Sequence, residues 1–107
     1  MKILKTIGVV ALLMCSMVAV AVGHEEHSVK PDAGFIPNQA TATRVAEAIL
    51  IPIYGQEQIE SERPFSAQLN GNTWKVEGHL APGVDGGVAE VWLDKRDGRI
   101  LRVSHGK

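Results

Sequence analysis

Two β-rich runs on either side of Asp97-Gly98 constrain this chain more than any other feature. Val88-Ala89-Glu90-Val91-Trp92-Leu93 precedes the pair and Ile100-Leu101-Arg102-Val103-Ser104 follows it. Glycine accepts the left-handed backbone that a tight hairpin needs, so Asp-Gly between alternating runs predicts a hairpin. A three-residue loop Arg96-Asp97-Gly98 sets Leu93 against Leu101 and Val91 against Val103 and keeps the apolar residues on one face. A four-residue loop sets Leu93 against Ile100 and Val91 against Arg102 and mixes the faces. The face-preserving register is the expected one, because a slip of one residue turns every side chain over. It leaves Val88, Glu90, Trp92, Ile100, Arg102 and Ser104 on the opposite face, with Trp92 across from Arg102.

An earlier pair of runs obeys the same rule. Phe65, Ala67 and Leu69 alternate with polar residues, as do Trp74, Val76, Gly78 and Leu80. A two-residue Asn70-Gly71 turn pairs Ala67 with Trp74 and Phe65 with Val76. This predicts Trp74 on the inner face, shielded among Val45, Ile49 and Val76, and Trp92 on the outer one. The segment 81–87, with three glycines and a proline, joins the hairpins as a loop.

Upstream the period changes. Ala42, Val45, Ala46, Ile49, Leu50 and Ile53 recur at three- and four-residue spacing, the signature of an amphipathic helix. Asn38 caps it by accepting from free first-turn amides. Pro52 predicts an end or kink near Ile51, and Gly55 the turn beyond. A second short helix over Gln56 to Glu62 stops at Pro64. The fold class is therefore α+β: an N-terminal helix and a short second one packed on a four-stranded antiparallel meander of two hairpins.

The first residues read differently. Lys2 and Lys5 precede an apolar run from Ile7 to Val20, and Ala19-Val20-Ala21 and Ala21-Val22-Gly23 both suit signal peptidase. A retained membrane anchor needs roughly 20 apolar residues, slightly more than this run offers. Met14 before Cys15 and the apolar residues after it argue against a lipid-modified cysteine. Residues 1–23 are expected to be a cleaved signal peptide, 24–34 a flexible leader, and 35–107 one binding domain docked by Phe35 and Ile36. The protein is then periplasmic and meets the membrane only before cleavage. Without Lys2 and Lys5 the 11 basic residues fall to nine against 12 acidic ones, which argues against nucleic acid as a partner. Cys15, the single cysteine, leaves with the signal, so no disulfide supports the small core.

Candidate chemistry is sparse. His24 and His27 flank Glu25-Glu26, and a chain starting at Val22 could wrap Cu(II) or Ni(II), but neither pattern is a structural metal spacing. No metal or cofactor is expected. His79 reads as part of a polar strand face, and Glu57, Glu60 and Glu62 as a solvated helix face. No serine lies in a nucleophile elbow, and Gly83, Gly86 and Gly87 open no helix that could cradle phosphate. A non-enzymatic protein is expected. One helix covers only one sheet face, so Val88, Trp92, Ile100 and Arg102 form the candidate partner-binding patch, with Arg102 stacked on Trp92. Its occupant is a different protein, a second copy in a homodimer, or the chain's own leader or Phe35-Ile36 folded over it.

Ala46-Glu47-Ala48-Ile49-Leu50-Ile51-Pro52-Ile53-Tyr54-Gly55, Pro64-Phe65, Gly86-Gly87-Val88-Ala89, Lys95-Arg96-Asp97-Gly98-Arg99-Ile100-Leu101 and His105-Gly106-Lys107 together resemble the bacterial immunity proteins with a nuclear transport factor 2-like fold. The resemblance spans about Gly34 to Lys107. It implies a reduced cystatin-like, nuclear transport factor 2-like architecture. It also implies an antidote that binds and neutralises a cognate toxin domain of a polymorphic toxin system. A periplasmic module similar to PepSY domains, acting as an inhibitor or ligand sensor, is the alternative expectation.

Overall fold

The computed structural model describes residues 27–106. The expected signal peptide, with Cys15, and the first leader residues, with His24, lie outside them. Helices α1 (Gln39–Tyr54) and α2 (Gln56–Ser61) precede strands β1 (Ser66–Asn70), β2 (Thr73–Glu77), β3 (Ala89–Asp94) and β4 (Ile100–His105). The strands form one antiparallel sheet in the order β1-β2-β3-β4. This is the expected helix-on-meander plan.

Helix α1 starts where Asn38 Oδ1 accepts from the Thr41 amide at 2.9 Å. Ala42, Ala46 and Leu50, four residues apart, form its buried row. The two small side chains let the helix backbone lie close on β1, β2 and β3, leaving Leu50 to fill the far end. The helix does not stop at Ile51: Pro52 lies within it. A proline this near the end removes one intrahelical bond, and the Gly55 amide closes the last turn on the Ile51 carbonyl at 2.8 Å. Ile53, expected on the apolar stripe, faces solvent rather than the core.

The sheet contributes Ala67, Trp74, Val76, Ala89, Val91 and Leu93 to the core, joined by Ile36, Ile59 and Phe65. Val45, Ile49 and Val103 pack around them. Trp74 is buried, and its Nε1 donates to the Ile36 carbonyl at 2.8 Å. Ile36 docks as expected, while Phe35 is half exposed. The docked segment adds backbone bonds from Phe35 to Arg96 (3.0 Å) and from Ile36 to Lys95 (3.1 Å) at the β3–β4 turn.

Both hairpin registers differ in detail from expectation. In the first, Asn70 pairs with Thr73, so the turn is Gly71-Asn72 rather than Asn70-Gly71. Trp74 then opposes Leu69, and Val76 opposes Ala67. A two-residue shift preserves the faces, so alternation alone cannot detect it. The observed turn aims the Asn72 carbonyl at the Lys95 amide, 2.7 Å away, which ties it to the end of β3.

In the second hairpin Val91 opposes Val103 and Trp92 opposes Arg102, as expected, but Leu93 opposes Ile100. Asp94 explains the change. Its Oδ1 accepts from the Arg96 and Asp97 amides, and its carbonyl accepts from Gly98. The turn so built takes four residues, Lys95 to Gly98, and a β-bulge absorbs the extra one at Leu101. The hydrogen bond from the Arg96 amide, followed by the lesser one from Asp97, holds the Asp94 carboxyl below its ordinary pKa despite partial desolvation.

Candidate functional site

Among the described residues no helix covers the face of the sheet away from α1, and Trp92 lies at its middle. Trp92 is half-buried by its neighbours: the Arg102 guanidinium carbon sits 5.3 Å from its ring centroid. The Glu90 carboxylate accepts from its Nε1. Two expected site residues, Trp92 and Arg102, thus come together in the stacked arrangement. The other two do not join them. Val88 lies just before β3, where its carbonyl accepts from Gly106 at 3.1 Å. Ile100 is displaced by the bulge to oppose the core residue Leu93. Leu101 instead lines a concavity with Trp92, Lys75, Thr73 and Asn70. The expected apolar stripe of Val88, Trp92 and Ile100 is therefore a single aromatic and a leucine among charged residues.

A second cluster has no counterpart in the sequence pattern. Glu62, expected on a solvated face, is buried behind α2. Its Oε1 accepts from the Ala89 amide at 2.7 Å, and its Oε2 accepts from Gln58 and lies 2.8 Å from His105 Nε2. The other ring nitrogen of His105 lies 2.8 Å from the Gly106 carbonyl oxygen. A carbonyl and a carboxylate only accept, so His105 satisfies both as the doubly protonated imidazolium. Burial alone raises the Glu62 pKa, but the bonds from Ala89, Gln58 and His105, with the imidazolium charge, outweigh it and leave the carboxyl lowered. The Gly106 and Glu62 bonds, opposed by desolvation, raise that of His105.

The Tyr54 ring flanks this imidazole at 5.1 Å between centroids. His79 is not on a strand face: β2 ends at Glu77, and the His79 amide donates to the Glu62 carbonyl at 2.7 Å. Both carboxylate oxygens and both ring nitrogens are engaged, so the cluster ties α2, β3 and β4 together. Among the described residues no group of three or more His, Cys, Asp or Glu is placed to hold a metal ion. No helix among them is long and apolar enough to cross a membrane.

A helix laid over one face of a four-stranded antiparallel sheet defines a small α+β protein consistent with a nuclear transport factor 2-like fold. The family described as NTF2 fold immunity protein matches residues 41–107, and the chain belongs to it. The chain is also 37% identical over 73 residues to the uncharacterized protein YhhH of Escherichia coli (strain K12). That stretch is 67% of this chain and 58% of the relative's length. No solved structure matches the chain.

Proposed function

We propose that this chain is an exported antidote that binds a cognate toxin protein of a polymorphic toxin system and neutralises it without catalysis. Its match to the immunity family over residues 41–107 carries the reading. In this account residues 1–23 direct export and are removed, 24–34 form a leader, and 35–107 act in the periplasm as the binding domain.

The recognition surface we assign is the sheet face away from α1, centred on Trp92 and Arg102 with Leu101 beside them and Val88 at its margin. A tryptophan held by Glu90 and stacked under Arg102 has little rotamer freedom left to lose on binding. Trp and Arg are also the side chains most often found as interface anchors.

The test is co-expression of the toxin encoded beside this gene with wild type, Trp92→Ala and Arg102→Ala. Each substitution should cost about 2 kcal/mol of binding, roughly thirtyfold in affinity, and weaken protection. If both variants protect as well as wild type, this surface assignment is wrong. If no neighbouring protein is toxic or binds, the antidote reading itself falls. Intact mass of the periplasmic protein tests export, with a start at Val22 or His24 expected.

A further inference from the structure

The charges on the sheet face away from α1 are banded. The pairing registers set Gln68, Lys75, Trp92 and Arg102 side by side in one row across the four strands. Two residues along each strand, the next row holds Ser66, Glu77, Glu90 and Ser104. One row carries two cations flanking the indole and the other carries two carboxylates, about 7 Å apart at two residues' rise. Among the described residues the ion pairs are Arg63–Glu47, Arg96–Asp94 and His105–Glu62, so none of these four charges has a salt-bridge partner among them. Glu77 and Glu90 stand directly opposite one another on paired strands. Like charges so placed destabilise a sheet, and no described residue forms an ion pair with either of them.

We infer that this face is the interface of a homodimer. Two copies pack sheet on sheet about a twofold axis that runs across the strands, between the two rows. The rotation reverses strand direction but keeps strand order. Lys75 therefore comes over Glu77 of the second copy, Trp92 over its Glu90, and Arg102 over its Ser104, beside the same Glu90. Every contact occurs twice, as in any isologous interface.

The other in-plane twofold, along the strands, lays the cationic row on itself and the acidic row on itself, so the charges reject it. Aligned sheets pack about 10 Å apart, a gap that lysine and arginine side chains span. A different protein would need the same two bands in reverse order. A second copy presents them by symmetry. The dimer does not depend on the antidote reading, but both use the Trp92–Arg102 face, so a second copy and the toxin compete for it and the dimer must part before the toxin binds there.

Analytical ultracentrifugation of the protein as the cell processes it provides the test, with circular dichroism confirming that each variant folds. Wild type should show a concentration-dependent monomer–dimer equilibrium that added salt loosens, because screening weakens exposed charge pairs. K75E and E77K should each raise the dimer Kd by about tenfold or more, since each replaces two attractions with two repulsions. The double swap K75E/E77K restores opposite charges at both Lys75–Glu77 contacts and should restore association. A wild type that stays monomeric at every concentration overturns the inference, even where K75E weakens toxin binding, and the face then belongs to the toxin alone. Tighter association of K75E, or no rescue in the double swap, overturns it as well.

Discussion

His105 Nε2 lies 2.8 Å from Glu62 Oε2, joining the end of β4 to the residue after α2 across 43 positions of sequence. The contact closes the domain at the end away from the β3–β4 turn. It also makes the stability of the fold depend on two titrations.

The sign of each follows from its shift. His105 has a raised pKa when folded, so its contribution is complete below the ordinary value of 6.5 and fades as pH rises through the folded one. Glu62 has a lowered pKa, so its contribution is complete above 4.5 and fades as pH falls through the folded value. Urea midpoints measured across pH should therefore be highest between about 4.5 and 6.5 and decline on both sides. His105→Gln should flatten the alkaline decline. An unchanged alkaline limb in that variant rules His105 out as its source.

Gly78 makes room for the buried carboxylate. A Cβ at this position would sit 2.5 Å from Glu62 Oε1 and 2.9 Å from Glu62 Cβ. Gly78→Ala should push Glu62 off the Ala89 amide and cost about 1–3 kcal/mol, the usual range for stranding a buried polar group. Amide hydrogen exchange at Ala89 should accelerate in the variant. Protection equal to wild type would show that Glu62 is not held in place by this packing.

The two tryptophans lie on opposite faces and should respond differently to truncation. Trp74 is enclosed in the core and bonded to the Ile36 carbonyl, so Trp74→Ala should cost about 3–5 kcal/mol. Trp92→Ala removes a half-buried ring from the face away from α1 and should cost far less. Equal destabilisation in chemical denaturation would contradict the assigned faces.

Which residues share a face was legible in the sequence, because strand side chains alternate with period two and both hairpins preserve that alternation. The pairing itself was not fully legible. A two-residue slip at Gly71-Asn72 leaves every face unchanged, and the bulge at Leu101 arises from the hydrogen bonds of Asp94 rather than from apolar spacing. Trp92 and Arg102 were placed correctly because their pairing lies beyond the bulge. Ile100, on its turn side, was not. Glu62 looked like one of several helix carboxylates, since its partners Ala89 and His105 are distant in sequence and only the folded sheet brings them near. The banded charges needed the true registers of all four strands before they could be seen as rows.

The docked N-terminal segment offers the last test. Gly34 has φ +89°, and a Cβ there would lie 2.3 Å from the Lys95 carbonyl oxygen, which accepts the Ile36 amide. Gly34→Ala therefore combines left-handed strain with a backbone collision, and it loosens the segment that carries the Ile36 carbonyl to Trp74. Gly83 has φ +79°, and a Cβ there would meet nothing within 4 Å, so Gly83→Ala carries the strain alone. Strain of this kind costs about 1–3 kcal/mol. Gly34→Ala should exceed Gly83→Ala by about another 1–2 kcal/mol, the scale of a lost buried hydrogen bond. It should also shift Trp74 fluorescence to longer wavelength as water reaches the indole. Equal costs with an unchanged emission maximum would mean that the segment tolerates the methyl group and does not hold Trp74 in place.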